Sequence, residues 1–216
     1  PPGEVEKELG AKVSGSKLAT ALEKLLTIPK RGTKAREVYY ALWEVELEKG
    51  RGAPAVYPDV FAQDNSITRD RKKGLKIFCF SRGTQAMLEK TLKASGLDKV
   101  VEQIYSVLPY GGVKNKHAYK QFYLEQKKEG SEIVKQYEDE WENIEQLFEA
   151  GLEIALELKL DNYPYQIIWV DRSHESTKNE AKKALEKLEA KYEKLKKEKN
   201  WKTAFQKVFE IKSNLL

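Results

Sequence analysis

The stretch that decides the fold reads Leu75-Lys76-Ile77-Phe78-Cys79-Phe80-Ser81-Arg82-Gly83. Its first six residues are mostly apolar and β-prone, and such a short run predicts a strand that is buried in a sheet. Its last three residues form a polar turn, so the strand delivers a loop at its carboxyl end. From Thr84 the pattern is helical as far as about Ser95, and Gly96 ends the helix.

Two more strands are predicted farther along the chain. Ile104–Val107 is the second candidate, and Ile167–Val170 is the most apolar run and the strongest candidate. The region between them has a helical pattern, and an extra helix is predicted around Glu132 to Leu158. Strands that alternate with helices predict an α/β protein with a parallel, Rossmann-like sheet.

The N-terminal part of the chain predicts helices that pack by one apolar face. The first apolar stripe consists of Leu18, Ala21, Leu22, Leu25 and Leu26, and the second of Val38, Ala41, Leu42 and Val45. A cluster of helix breakers follows at Gly50, Gly52, Pro54 and Pro58. We therefore expect a boundary near residue 55, with a helical region over 1–55 and an α/β core over 56–216.

The composition favours a folded protein of the cytoplasm. The 216 residues are 40% hydrophobic and 34% charged, which is typical of a chain that folds around a core. The single cysteine, Cys79, forms no internal disulfide, and two histidines are too few for a structural zinc site. No apolar stretch is long enough to span a membrane, so we expect no membrane partner.

The excess of positive charge lies near the C-terminus. Residues 176–216 contain twelve Lys and six Glu, whereas the formal net charge of the whole chain is +5. Apolar residues recur there at helical spacing, which predicts an amphipathic helix with a solvated basic face and disfavours nucleic-acid binding. A basic interaction module stays open as an alternative, with apolar and aromatic residues available for a partner. These residues are Trp201, Phe205, Val208 and Phe209.

Polar side chains follow the predicted strands, at the edge of a parallel sheet where ligands bind. Ser81 follows the first strand, Lys114 lies in the glycine-rich loop after the second, and Asp171 follows the last. The Ser81 hydroxyl and the amides of Arg82 and Gly83 suit the oxygens of a phosphate, while the loop lysine suits its charge. Asp171 offers the oxygen ligands that Mg²⁺ prefers. We therefore expect a small phosphorylated substrate and a Mg²⁺ cofactor.

The order of these motifs resembles that of the haloacid dehalogenase (HAD)-like hydrolase superfamily. Lys76–Gly83 looks like the family's second motif, a hydrophobic strand that ends in Ser or Thr. Gly111–Tyr119 looks like the third motif, which contains an essential lysine, and Ile167–Glu175 looks like the fourth, which contains the acidic metal site. Tyr57–Val60 resembles the segment by which the chain re-enters the core from a small helical cap.

The resemblance implies a HAD-like core with a small helical cap and a Mg²⁺-dependent phosphohydrolase activity. It assigns catalytic roles to Ser81, Lys114 and Asp171. The family's first motif is a strand ending in Asp-x-Asp that supplies the nucleophile, and no such strand is found before Ser81. Because the chain begins Pro1-Pro2-Gly3 and its only methionine is Met87, we expect this motif to lie upstream. A catalytically inactive HAD-like binding or scaffold protein is the alternative.

Several of these residues also have an interpretation that concerns structure alone. Ser81 is either a phosphate ligand or the cap of the helix that begins after it. Lys116 competes with Lys114 for the role of the third-motif lysine. Asp171 is either a metal ligand or a helix cap, and Glu175 is either a second Mg²⁺ ligand or an acid that stabilises the first turn of a helix.

Overall fold

The computed structural model describes residues 33–49, 56–170, 175–202 and 208–212, with the backbone alone for residues 37 and 175–181. The α-helices of this part are α1 (Lys34–Glu48), α2 (Ser66–Lys72), α3 (Gln85–Ala94), α4 (Lys116–Lys128), α5 (Trp141–Glu157) and α6 (Glu175–Lys199). The strands are β1 (Phe78–Ser81), β2 (Gln103–Ser106), β3 (Lys135–Glu138), β4 (Gln166–Val170) and β5 (Phe209–Lys212). The predicted apolar stripe over 18–26 lies outside the described residues.

The strands form two small sheets in which every pair is parallel. β1 pairs with β2, with Ser81 opposite Ser106. The second sheet has the order β3-β4-β5, so β4 lies between two neighbours. Because parallel strands need crossover connections, the helices between them follow directly from this pairing. The predicted α/β class with parallel strands is confirmed.

Helices cover both faces of each sheet, and one hydrophobic core joins the two sheets. On one side, residues of α4, α5 and α6 pack in the same cluster as Phe78 and Phe80 of β1 and Ile167 of β4. On the other side, α3 packs on β2 and α1 packs on α3, in one cluster that includes Cys79 of β1, whereas Ile67 of α2 packs on Ile168 of β4. Parallel sheets are stable only when both faces are covered in this way.

The third strand corrects the sequence prediction of a continuous helical region. α4 ends at Lys128 and Gly130 adopts a positive φ of 82°, so the helix predicted around Glu132 begins only at Trp141. β3 occupies the interval. On one face of this strand, Lys135 and Tyr137 both reach the buried Asp70 of α2, at 2.8 Å and 2.7 Å. Lys135 and Tyr137, whose polar groups make this strand difficult to recognise in the sequence, therefore attach α2 to the sheet.

Two other features of the sequence prediction have clear outcomes. The helix after β1 is capped by the Thr84 side chain, which accepts a hydrogen bond from the Met87 amide, and not by Ser81. Val208 and Phe209 are 4% and 2% exposed in the core, and Phe209 begins β5, so neither is available as the surface of an interaction module.

In the part of the chain described here, no helix combines the length and the apolarity needed to cross a lipid bilayer.

Candidate functional site

The carboxyl ends of β1 and β3 open into one cleft of about 250 Å³ beneath helix α1. The cleft is lined by Arg36, Tyr40, Trp43, Ser81, Arg82, Lys114, Glu138, Asp139, Glu140 and Asn143. Three of the residues singled out in the sequence, Ser81, Arg82 and Lys114, thus lie around the same space. Their position agrees with the rule that ligands bind beyond the carboxyl ends of parallel strands.

The turn after β1 places Ser81 and Arg82 in the cleft because Gly83 allows a conformation that side chains rarely adopt. Its φ is 145°, and a Cβ atom at this position would overlap the side chains of Met87 and Leu88. The Gly83 carbonyl accepts a hydrogen bond from the Ser106 hydroxyl at the end of β2. The two strands of the first sheet therefore fix this turn together.

Lys114 forms an ion pair with Glu138 at the bottom of the cleft. Their Nζ and Oε2 atoms are 2.9 Å apart, and their side chains are 19% and 6% exposed. The Tyr119 hydroxyl donates to the same carboxylate at 3.1 Å, and the Asp139 amide donates to its other oxygen. Burial alone raises the pKa of Glu138, but the charge of Lys114 and these hydrogen bonds outweigh it and lower the pKa to about 2.

A second ion pair crosses the cleft from β1 to the residues after β3. Arg82 binds Glu140 at 3.2 Å, and the Asn143 amide donates to the same Glu140 oxygen at 2.9 Å. Among the described atoms, the Nε of Arg82 is buried without a hydrogen-bond partner. This Nε–H is therefore a buried donor that none of the described atoms satisfies.

Asp139 lies between these two paired glutamates. Desolvation by its surroundings, followed by the negative charge of Glu138, raises the pKa of Asp139 to about 6. Its backbone carbonyl accepts a hydrogen bond from the Trp169 indole at 3.2 Å, and the Trp169 ring packs on Trp141. Trp169 therefore contacts the backbone of a cleft residue, and Trp141 contacts Trp169.

The predicted metal ligands Asp171 and Glu175 lie outside the residues whose side chains are described. Asp171 follows β4, the neighbour of β3. No group of three or more His, Cys, Asp or Glu arranged to hold a metal ion occurs among the described residues. Glu138 and Glu140 bind Lys114 and Arg82, so Asp139 is the carboxylate of the described cleft for which no such ion pair is described and which a hard cation would use. This donor set fits Mg²⁺ only if residues beyond the described ones complete it.

Lys114 and Lys116, the two candidates for the loop lysine, lie in different places. Lys114 lines the cleft, whereas Lys116 binds Glu153 at 2.6 Å and joins α4 to α5. Burial raises the pKa of the Cys79 thiol, against the opposing effect of the Lys114 charge, so Cys79 behaves as a small apolar residue of β1.

Sequence reasoning missed the acids after β3 and the contribution of α1. The sequence does contain a strand signal here, because the apolar residues Ile133, Val134 and Tyr137 precede three consecutive acids. Lys135 and Gln136 interrupt the apolar pattern, so the strand was not predicted. Arg36, Tyr40 and Trp43 share the helical spacing of one face, yet the spacing gives no indication of what that face covers.

Comparison with known proteins gives no relative. No protein-family model matches the chain, and neither a curated protein nor a solved structure matches it.

Proposed function

We propose that this chain carries the phosphate-binding site of a HAD-like, Mg²⁺-dependent phosphohydrolase. One observation carries the proposal: Ser81, Arg82 and Lys114, from two separate strand–loop units, line the same cleft at the carboxyl edge of parallel strands. A hydroxyl, a guanidinium and an ammonium together complement a phosphate group in both hydrogen bonding and charge.

The ion pairs of the cleft explain how these cations are held ready for a ligand. Glu138 fixes the Lys114 ammonium, and Glu140 fixes one end of the Arg82 guanidinium. Side chains that are held before the substrate arrives lose little conformational freedom when it binds. The Ser81 hydroxyl at the end of β1 adds a third donor to the same cleft.

The reaction itself needs a carboxylate nucleophile. In the family that the sequence resembles, an aspartate attacks the phosphorus, the bond to the leaving oxygen breaks, and water then hydrolyses the aspartyl phosphate. We place this nucleophile outside the described residues. β1 and β3 each pair with a single strand among the described residues, and their carboxyl ends meet at the cleft. A strand between these two edges would present its own carboxyl end to the bound phosphate, which supports the proposal.

Mg²⁺, when bound, would neutralise charge on the phosphate. Its proposed oxygen donors are Asp139 in the described cleft and Asp171 and Glu175 from the sequence prediction. The residues of this chain would bind and orient the phosphate with or without the attacking group, because electrostatic complementarity does not require that group.

Calorimetric titration with inorganic phosphate tests the proposal. We expect Ser81→Ala and Lys114→Ala to weaken binding about tenfold or more, since each removes a charged or hydrogen-bonding partner of the phosphate. Lys116→Ala is the matched control, because Lys116 lies outside the cleft, and it should bind as the unaltered chain does. Equal affinity of the unaltered chain and Lys114→Ala would contradict the proposed phosphate site.

Turnover of p-nitrophenyl phosphate with Mg²⁺ separates the enzyme from the alternative. A rate that disappears in Lys114→Ala would support the enzyme, with a carboxylate of this chain outside the described residues as the nucleophile. If the chain binds phosphate but hydrolyses no ester, the catalytically inactive binding protein is the correct interpretation.

A further inference from the structure

Helix α1 has an apolar stripe on its outer face. The stripe is the one that the sequence predicts, and it consists of Val38, Ala41, Leu42 and Val45. All four residues are exposed, and Leu42 is 63% exposed. At 3.6 residues per turn, most of the stripe lies about half a turn from Tyr40 and Leu47, which are buried and pack with residues of α3. The helix therefore packs on the described part of the chain by the opposite face.

The exposure of large apolar side chains is concentrated on this face. Val38, Leu42 and Val45 are 60%, 63% and 43% exposed and stand within two turns of one helix. Single exposed apolar residues are ordinary, but a continuous stripe marks a surface that binds another element, because covering it removes apolar surface from water. Among the described residues, no element covers the stripe.

The spacing of the stripe identifies the kind of element that fits it. Val38, Leu42 and Val45 recur at intervals of four and three residues, and the exposed Ala35 continues the pattern three residues before Val38. Apolar residues that alternate between these two intervals form the narrow seam along which two helices pack at a small crossing angle. The surface therefore fits a single amphipathic helix.

A segment with a matching pattern precedes α1 in the chain. Residues 18–26 lie outside the described residues, and their sequence contains the other apolar stripe of the N-terminal part. This stripe consists of Leu18, Ala21, Leu22, Leu25 and Leu26. At about 1.5 Å per residue, a helix over this stripe would be about 12 Å long, and the distance from Val38 to Val45 along α1 is about 10 Å. The two stripes therefore match in spacing and in length.

The connection between the two stripes has the length of a turn between antiparallel helices. α1 begins at Lys34, directly after its N-cap Thr33. The six residues 27–32 therefore separate this cap from the upstream stripe, and connections between packed helices usually have about two to eight residues. Pro29 and Gly32 favour a turn within the connection. Helices joined by such a short connection pack side by side in opposite directions.

We propose that residues 18–26 dock on the exposed apolar face of α1 and form an antiparallel helical pair with it, in which Leu22 lies opposite Leu42. The short connection holds the segment at a high local concentration, so it competes successfully with a second copy of the chain for the same surface. Because a different face of α1 lines the cleft, the docked segment stabilises this wall of the cleft from outside. The inference does not rest on the proposed phosphate site.

Cross-linking in the full chain tests the pairing. We expect the double variant Leu22→Cys/Leu42→Cys to form a disulfide within one chain when it is oxidised with oxidised glutathione, because the two positions face each other in the proposed pair. Non-reducing electrophoresis and intact mass measure the product. Leu22→Cys/Glu145→Cys is the matched control, since Glu145 is exposed on α5, and it should stay reduced. Both variants also carry Cys79→Val, which removes the only native thiol.

Hydrogen exchange gives a second measurement that needs no introduced cysteine. In the unaltered chain, the amides of residues 18–26 should exchange about tenfold or more slowly than in a free peptide of the same sequence, because docking stabilises their helix. Leu42→Glu places a charge in the seam and should remove this protection. Leu156→Glu is the matched control, since Leu156 of α5 is also an exposed leucine at 52%, and it should keep the protection.

The outcomes separate the possible occupants of the surface. A disulfide within one chain, together with protection that is lost in Leu42→Glu alone, supports the inference. If residues 18–26 exchange as fast as the free peptide, or if Leu42→Glu keeps the full protection, the segment does not dock on this face and the inference is wrong. If the disulfide joins two chains, or if protection appears only at protein concentrations where light scattering gives the mass of a dimer, a second copy covers the stripe and the inference is also wrong.

Discussion

At the scale of single residues, Glu138 organises the interior of the cleft. A carboxylate that is almost fully buried is costly unless its oxygens are paired. Lys114, Tyr119 and the backbone after β3 provide these partners. Burial, followed by the charge of Glu138, raises the pKa of Tyr119, so its hydroxyl remains a donor. Glu138 therefore positions Lys114, the residue that would contact the phosphate, without contacting the phosphate itself.

Glu138→Gln should lower the free energy of unfolding by about 3 kcal/mol, because it leaves the largely buried Lys114 ammonium without its counter-charge. Urea denaturation at neutral pH measures the change. Glu145→Gln on the exposed face of α5 is the matched control and should change stability by less than about 0.5 kcal/mol. Equal losses in both variants would show that the Lys114–Glu138 pair contributes nothing specific.

The stability contributed by Glu138 should disappear in acid. Its pKa is lowered from 4.5 to about 2 in the folded protein, so this stability is present above the unfolded value and is lost as the pH falls from 4.5 toward 2. The difference in unfolding free energy between the unaltered chain and Glu138→Gln should shrink over this interval. Asp139 has the opposite dependence, because its pKa is raised, and making both measurements in an Asp139→Asn background removes that effect. A constant difference down to about pH 2 would contradict the assignment.

At the scale of elements, the sequence predicts best the strands that form an apolar run of their own. β4 was recognised because four of its five residues are buried and apolar, and β1 because its apolar run ends in a clear turn. β3 was missed because it is an edge strand whose Lys135 is paired with Asp70 of α2, a contact that no local pattern reveals. β5 was missed although Glu210 and Lys212 alternate with its apolar residues, because the helical spacing of residues 176–216 was taken to continue through it.

The residues of the candidate site also differ in how well the sequence predicts them. Ser81, Arg82 and Lys114 directly follow a strand or lie in a glycine-rich loop, and local sequence is sufficient to single them out. Arg36 reaches the cleft only because α1 packs on α3 above the sheet. Its position in the cleft depends on tertiary packing, which the sequence alone does not specify.

Helix α5 depends on a glycine in its interior. A Cβ atom on Gly151 would overlap the ring and hydroxyl of Tyr163, whose hydroxyl donates to the Phe148 carbonyl at 3.1 Å and whose side chain is fully buried. Gly151→Ala gains about 1 kcal/mol of helix propensity, but the overlap with a ring that cannot move should outweigh it. We expect a net loss of about 2 kcal/mol in urea denaturation. Glu145→Ala on the exposed face of the same helix should be neutral, and a stabilised Gly151→Ala would contradict the packing.

At the scale of the whole molecule, two sheets share one core without sharing a strand. In the described part of the chain, β1 and β3 are edge strands whose ends meet at the cleft, and all four residues of β1 are only half-buried. β4, between two neighbours, has four buried residues of five. Stability is therefore expected to be concentrated in the second sheet.

Hydrogen exchange followed by mass spectrometry tests this difference. We expect the amides of β4 to exchange about tenfold or more slowly than those of β1 in the chain as it stands, because an edge strand opens without disrupting the rest of the core. Equal protection of β1 and β4 would contradict the expectation that stability is concentrated in the second sheet.

The contact between Trp141 and Trp169 gives the protein an optical signal of its own. The ring centroids are 5.0 Å apart, and the Trp169 indole is hydrogen-bonded to the Asp139 backbone. Indole emission responds to charge and polarity around the ring, so a change in the ionisation of Asp139 or the arrival of an anion above it alters the fluorescence. We therefore expect stopped-flow mixing to follow occupancy of the cleft in real time without a label, because one of the four tryptophans of the chain is hydrogen-bonded to the backbone of a cleft residue.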